Sequence, residues 1–145
     1  MDIIVRECKP DDIEALYRLN RDELGYDYPE EQMYVRLLEL LKRPSDMILV
    51  AESPDGVCGY IHAVDYDLLY HAHMKNIMGI AVDSRYRRQG IGRRLLEAVE
   101  QWARDTGAEG IRLNSGSERA GAHAFYESCG YTRKKMQANF NKMLK

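Results

Sequence analysis

The stretch Ile77-Met78-Gly79-Ile80-Ala81-Val82-Asp83-Ser84-Arg85-Tyr86-Arg87-Arg88-Gln89-Gly90-Ile91-Gly92-Arg93-Arg94-Leu95-Leu96-Glu97 decides the fold. An apolar run, Ile77 to Val82, stops at Asp83. A turn follows that holds Arg85, Arg87, Arg88, Arg93 and Arg94 and two glycines, Gly90 and Gly92. A helical pattern then begins, with Leu95, Leu96, Val99, Trp102 and Ala103 on one face. Strand, basic glycine turn and helix N-terminus together predict a site for a phosphorylated ligand. Glycine lets backbone approach an anion, and the first helical turn has N–H groups without intrahelical partners. The helix dipole and the guanidinium groups add positive charge there.

Working outward, a strand is predicted over Ile3 to Glu7, and a helix starting at Pro10-Asp11-Asp12 with Ile13, Leu16, Tyr17 and Leu24 inward. Gly25-Tyr26-Asp27-Tyr28-Pro29 breaks it, and a second helix follows from about Glu30 to Lys42. Met47 to Glu52 and Val57 to Asp65 read as strands joined by a turn containing Asp55-Gly56, a hairpin signal. Tyr66 to Met74 is irregular, extending the strand or forming a loop, and Lys75 to Val82 is a strand. The long helix runs to about Thr106, capped by Gly107. Glu109 to Asn114 is a strand, a short helix starts at Arg119, and Tyr131 to Met136 and Ala138 to Leu144 are candidate final strands. The order β-α-α-β-β-β-α-β-α-β, with one further strand open, is an α/β (α+β) chain with a mixed sheet flanked by helices. The 145 residues show no repeat or linker and are read as one domain, 1–145.

Composition bounds the partners. A net charge of −2, with basic character local to the turn, argues for a small ligand and against a nucleic-acid groove. The chain has no signal peptide pattern and no apolar run near the ~20 residues that cross a bilayer. Cys8, Cys58 and Cys129 are odd in number and widely spaced, which fits reduced, cytoplasmic usage. The turn lacks Gly-Lys-Ser/Thr and Gly-x-Gly-x-x-Gly, so neither a P-loop nor a Rossmann cofactor site is expected.

Two motifs resemble those of the GNAT superfamily, the acetyl-CoA-dependent general N-acetyltransferases. Arg87-Arg88-Gln89-Gly90-Ile91-Gly92 is similar to the family's pyrophosphate loop, Gln/Arg-x-x-Gly-x-Gly/Ala. Ala122-His123-Ala124-Phe125-Tyr126-Glu127-Ser128-Cys129-Gly130-Tyr131 resembles its C-terminal signature, Ala-x-x-Phe-Tyr-Glu-x-x-Gly-Phe. Where many members carry asparagine this chain has Arg119, which can still reach a phosphate. The resemblance implies a V-shaped opening between the strands 75–82 and 109–114. The pantetheine arm of acetyl-CoA would pair there with Ile80, Ala81 and Val82. Pyrophosphate would sit on the turn from Arg87, Arg88, Gln89 and Gly90 to Ile91, Gly92 and Arg93, with Asn114 and Arg119 completing the cofactor set. It implies a backbone N–H near Val82 as oxyanion donor, Tyr126 as the acid that protonates the leaving thiolate, and Tyr26 and Tyr28 at the acceptor site. The acceptor would be a small-molecule or protein amine, no metal is implied, and pairing into a homodimer through the final strands is in character. The alternative is an acyl-CoA-binding sensor of the same fold without turnover. For a base, His71, His73, Tyr70, Asp65 and Glu118 are all candidates, with none singled out and direct loss of the proton to water equally open. His71-x-His73 lacks a third metal ligand, and His62 and His123 are read as structural or surface residues.

Overall fold

The computed structural model describes residues 2–116 and 119–145. It divides into two compact units, 1–113 and 114–145. In the first, the order is β1 (Ile4–Glu7), α1 (Ile13–Leu19), α2 (Glu30–Leu41), β2 (Asp46–Ser53), β3 (Gly56–Leu68), β4 (His71–Val82), α3 (Ile91–Asp105) and β5 (Gly110–Arg112). The second holds α4 (Ala120–Ser128).

The five strands lie in the order β1-β2-β3-β4-β5. The first three pairings are antiparallel and β4–β5 is parallel. Side chains alternate across the sheet. Ile48, Val50, Tyr60 and Ala81 therefore face α1 and α2, where they bury with Cys8, Leu16, Leu19 and Leu37. The opposite parity places Gly59, Ile61 and Ala63 under α3, whose Ile91, Leu95, Leu96, Val99 and Ala103 are buried. A Cβ on Gly59 would lie 3.1 Å from the Ala81 carbonyl oxygen and 3.4 Å from both Ile91 and Leu95. Glycine is thus what lets α3 approach the sheet.

Several boundaries differ from those expected. Of the two readings open for the 66–74 stretch, the structure takes the strand: β3 and β4 run on to a tight turn at Leu69-Tyr70, with a register shift between Tyr66 and Leu68. α1 ends in a π-helical turn, Asn20–Leu24, closed by Gly25 at φ 77°. β5 has three paired residues and stops at Arg112, short of Asn114. The strands expected after α4 are not formed. Residues 131–145 pair with no strand among the described residues, and Met136, Phe140, Met143 and Leu144 remain exposed. A strand needs an edge to pair with, and alternation in the sequence alone does not provide one.

Candidate active site

The site begins at an irregularity in β4. Gly79 to Val82 pair with His62 to Gly59 in one register, whereas Ile77 and Asn76 pair with Ala63 and Val64 in a register one residue out. Met78 is the extra residue of a β-bulge. The amide of Asp83 donates to the Cys58 carbonyl at 2.8 Å, which fixes the phase of the ladder. Alternation then turns the N–H and C=O of Ala81 and Gly79 toward β3, and those of Ile80 and Val82 away from it. On that outer side β5 pairs only with Met74, Lys75 and Asn76. The two strands part beyond Asn76 and Arg112, and the backbone groups of Ile80 and Val82 line the open edge. The bulge shifts the phase: without it Ala81 would face outward.

Val82 leads into the basic turn. Asp83 is buried and accepts from the Arg85 amide at 2.9 Å and from its guanidinium at 2.8 Å. That side-chain hydrogen bond from Arg85 outweighs burial and holds the Asp83 carboxyl below the usual carboxylate range. Arg88 has φ 65° and Gly90 φ 76°, flanking Gln89 at negative φ. Alternating backbone handedness of this kind turns successive N–H groups to one side, a concavity suited to anions. Gly90 is the N-cap of α3, and the first bond of the helix is Arg94 N–H to the Gly90 carbonyl at 3.0 Å. The amides of Ile91 and Gly92 therefore have no intrahelical acceptor.

The arginines of this turn are not equivalent. Arg85 is spent on Asp83, the Arg94 guanidinium donates to the Ile3 carbonyl at 2.7 Å, and Arg87 pairs with Glu23 at 3.2 Å. Arg88 makes no hydrogen bond or ion pair among the described residues and is exposed. Carboxylates thus hold two of these side chains and a backbone carbonyl holds a third, while Arg88 stands exposed beside the amides of the turn.

Tyr26 and Tyr28 occupy the α1–α2 connection and are exposed. The Tyr26 amide donates to the Asn20 carbonyl at 2.9 Å. Tyr60, on the same face of the sheet, donates to the Asn20 side chain, and its hydroxyl lies 3.5 Å from where a Gly79 Cβ would be. Burial, followed by the neighbouring Tyr26, pushes the Tyr60 hydroxyl up to about 12. Tyr28 lines a shallow cleft along α2 with Glu31, Val35 and Arg36.

The base candidates separate. Asp65 and His73 belong to a cluster around Lys75, which is 1% exposed. Lys75 Nζ donates to Asp65 at 2.5 Å and to His73 Nε2 at 3.0 Å, and sits 3.9 Å from the centre of the Trp102 ring. His73 Nδ1 bonds Asp67 at 2.7 Å. These groups satisfy a buried ammonium. His71 and Tyr70 are exposed at the hairpin tip, and Glu118 lies outside the described residues. His62 Nε2 bonds the buried Asp46 side chain at 2.7 Å. No group of three or more His, Cys, Asp or Glu among the described residues could hold a metal. Burial pushes the Cys8 thiol up to about 12 and raises Cys58, so neither is a thiolate at neutral pH.

In the second unit, Arg119 is the N-cap of α4 and Tyr126 packs against Phe125 and Tyr131, with ring centres 5.4 and 6.2 Å away. Burial raises the Tyr126 hydroxyl and Arg119 opposes it, leaving a phenol protonated at neutral pH. Asn114 lies in this unit too.

Residues 13–131 match the model of the acetyltransferase (GNAT) family, and the chain belongs to that family. An N-alpha-acetyltransferase of Saccharolobus solfataricus is 30% identical over 143 residues, spanning 93% of this chain and 83% of that protein. Human N-acetyltransferase 8 is 37% identical over 86 residues, 58% of this chain, and the match spans only 37% of that relative. Among solved structures, the 6'-N-acetyltransferase AAC(6')-Iy in complex with a bisubstrate analog, CoA-S-monomethyl-acetylneamine, superposes with TM-score 0.88 at 16% identity, over 99% of both chains. An aminoglycoside 6'-N-acetyltransferase of Acinetobacter baumannii gives 0.87 at 17% identity, over 99% of this chain and all of that one. At such identities the likeness establishes the fold. No helix among the described residues is long and apolar enough to cross a membrane.

Proposed function

We propose that this chain transfers an acetyl group from acetyl-CoA to a primary amine by direct attack in a ternary complex. The observation that carries the reading is the β4 edge at Ile80 and Val82, unpaired among the described residues, running straight into the amide-lined turn before α3. A pantetheine arm has amides that complete such an edge as a strand would, and a diphosphate matches the N–H groups of Ile91 and Gly92 and the Arg88 guanidinium, with Arg93 beside them. Bound acetyl-CoA supplies the activated acyl carbon. Ile80, Ala81 and Val82 orient the arm, and an N–H of the open edge meets the oxyanion that forms as the amine nitrogen adds to that carbon. A single such donor is worth about 2.7–4 kcal/mol. The carbon–sulfur bond then breaks, and the leaving thiolate takes its proton.

Tyr126 is the acid in this scheme, on the strength of its motif and its raised, protonated phenol. Asn114 and Arg119 are assigned to the cofactor, and Tyr26 and Tyr28 to the acceptor. The amine must lose a proton, since an alkyl ammonium has a pKa of about 10. With Asp65 and His73 committed to Lys75, we assign that proton to water at the mouth of the site. Relatives named as an N-alpha-acetyltransferase and an aminoglycoside N(6')-acetyltransferase support the amine class without fixing the molecule. We place the protein in the cytoplasm, acting as one domain over 1–145 and pairing into a homodimer. Release of CoA thiol, followed with a thiol reagent across amino acids, aminoglycosides, polyamines and peptide N-termini, tests the reading. Amine-dependent release supports it. CoA binding with no release from any amine would favour the sensor alternative.

A further inference from the structure

The turn that presents the anion-binding amides is gripped from outside by one carboxylate. Glu23 lies in the π-helical turn that ends α1, and its side chain is 11% exposed. Its Oε2 accepts the Ser84 amide at 2.9 Å, and its Oε1 pairs with the Arg87 guanidinium at 3.2 Å. The two grips bracket the entry of the turn. The next residue, Arg88, holds φ 65°, a left-handed conformation that disfavours a non-glycine side chain. Such a residue persists where its surroundings over-determine it. Inside the turn, the bond of the Arg87 amide to the Ser84 carbonyl is 3.4 Å, too long to hold the conformation by itself. A carboxylate beside an anion site would by charge alone repel the ligand, so its presence needs a second reason.

We propose that Glu23 is a positioning residue of the acyl-CoA site, clamping Ser84 and Arg87 so that Arg88 and the amides beyond it are preset for a diphosphate. This role rests on the acyl-CoA reading above. It also links the two sides of the site. Glu23 sits three residues before Tyr26, and Asn20, at the head of the same π-turn, receives the Tyr60 hydroxyl and the Tyr26 amide. A cavity of about 380 Å³ between this turn and the end of β4 is lined by Arg18, Asp22, Glu23, Asp83 and Arg85. The acceptor-side connection and the anion-binding turn form one mechanical unit.

Calorimetric titration of CoA and of S-acetylpantetheine, which lacks the diphosphate, into the full chain tests this. Glu23→Ala should weaken CoA about tenfold, equivalent to ~1.4 kcal/mol, and leave S-acetylpantetheine unchanged. Glu23→Gln, which keeps an acceptor for the Ser84 amide, should fall between. Adding Glu23→Ala to Arg87→Ala should cost less than the sum of the two, because both remove one clamp. CoA binding as tight as or tighter than in the unmodified chain for both Glu23 variants would overturn the proposal, since charge alone would then govern. So would equal losses for CoA and S-acetylpantetheine, which would mark general damage to the fold. No CoA binding by the unmodified chain would overturn the underlying reading instead.

Discussion

Replacing Gly59 by alanine adds one methyl group at the point where α3 meets the sheet. The new carbon would sit 3.1 Å from the Ala81 carbonyl oxygen and 3.4 Å from Ile91 Cγ2 and Leu95 Cδ1. The carbonyl belongs to the β3–β4 ladder and cannot retreat without breaking it. Ile91 and Leu95 are 2% and 0% exposed, so neither has space to rotate into. The helix must shift by a few tenths of an ångström. Overpacking of this kind costs about 1–3 kcal/mol. Alanine recovers roughly 0.5–1 kcal/mol through lower backbone entropy in the unfolded chain, since the backbone here is not left-handed. The net loss is about 0.5–2 kcal/mol, a fall in Tm of roughly 2–6 °C for a chain of this size. Ile91 is also the first residue of α3, so the shift falls on the amides assigned to the diphosphate. Urea denaturation and CoA titration of the same variant should therefore both respond, with CoA weakened about threefold or more. A variant as stable as the parent, with unchanged CoA affinity, would refute the claim that Gly59 sets the distance between α3 and the sheet.

Tyr126→Phe should lower kcat by about a hundredfold, within the range for general acids, while CoA affinity measured by titration stays the same; an unchanged kcat would remove Tyr126 from the chemistry. Asp65→Asn leaves the buried Lys75 short of its counter-charge and should cost about 2–3 kcal/mol in urea unfolding, whereas Lys75→Met with its similar volume should be close to neutral. Equal losses for the two would show that packing and not charge governs the cluster. On acidification, Asp83 and Asp12 both carry folded-state pKa values below ordinary. Asp83 does so chiefly through Arg85, and Asp12 because bonds from Arg6 and the Lys9 amide overcome its burial. A depressed carboxylate binds fewer protons folded than unfolded, so its contribution is complete above about pH 4–5 and disappears as pH falls through the folded value. Urea midpoints should be flat from pH 7 to 5 and drop below 4, and Asp83→Asn should flatten part of that drop.

Much of this architecture is written in local sequence. The apolar run ending at Val82, the turn holding Gly90 and Gly92 and the apolar stripe of α3 can each be read from neighbouring residues, and the structure has a strand, a turn and a helix at those places. Gly25 and Gly107 close their helices in left-handed conformations, as their positions demand. What was not legible depended on partners distant in the chain. Nothing near Glu23 announces that its carboxylate will meet Ser84 and Arg87, about sixty residues on. The Met78 bulge is a property of two strands, and Ile77-Met78-Gly79 alone does not show it. Arg85, Arg87 and Arg94 look like free positive charge in the sequence, but Asp83, Glu23 and the Ile3 carbonyl absorb them. The terminal stretches Tyr131 to Met136 and Ala138 to Leu144 are candidate strands in the sequence, yet a short run with its apolar residues names no neighbour to pair with.

Isothermal titration of the purified chain with CoA and acetyl-CoA, against ATP and NAD at matched ionic strength, tests the central claim most directly. The account predicts saturable binding of both CoA species, loss of that binding on blocking the turn with Gly90→Pro, and no heat from ATP or NAD. Binding of ATP or NAD at equal strength, or no binding of either CoA species, would contradict it and reduce the turn before α3 to a basic connection between strand and helix.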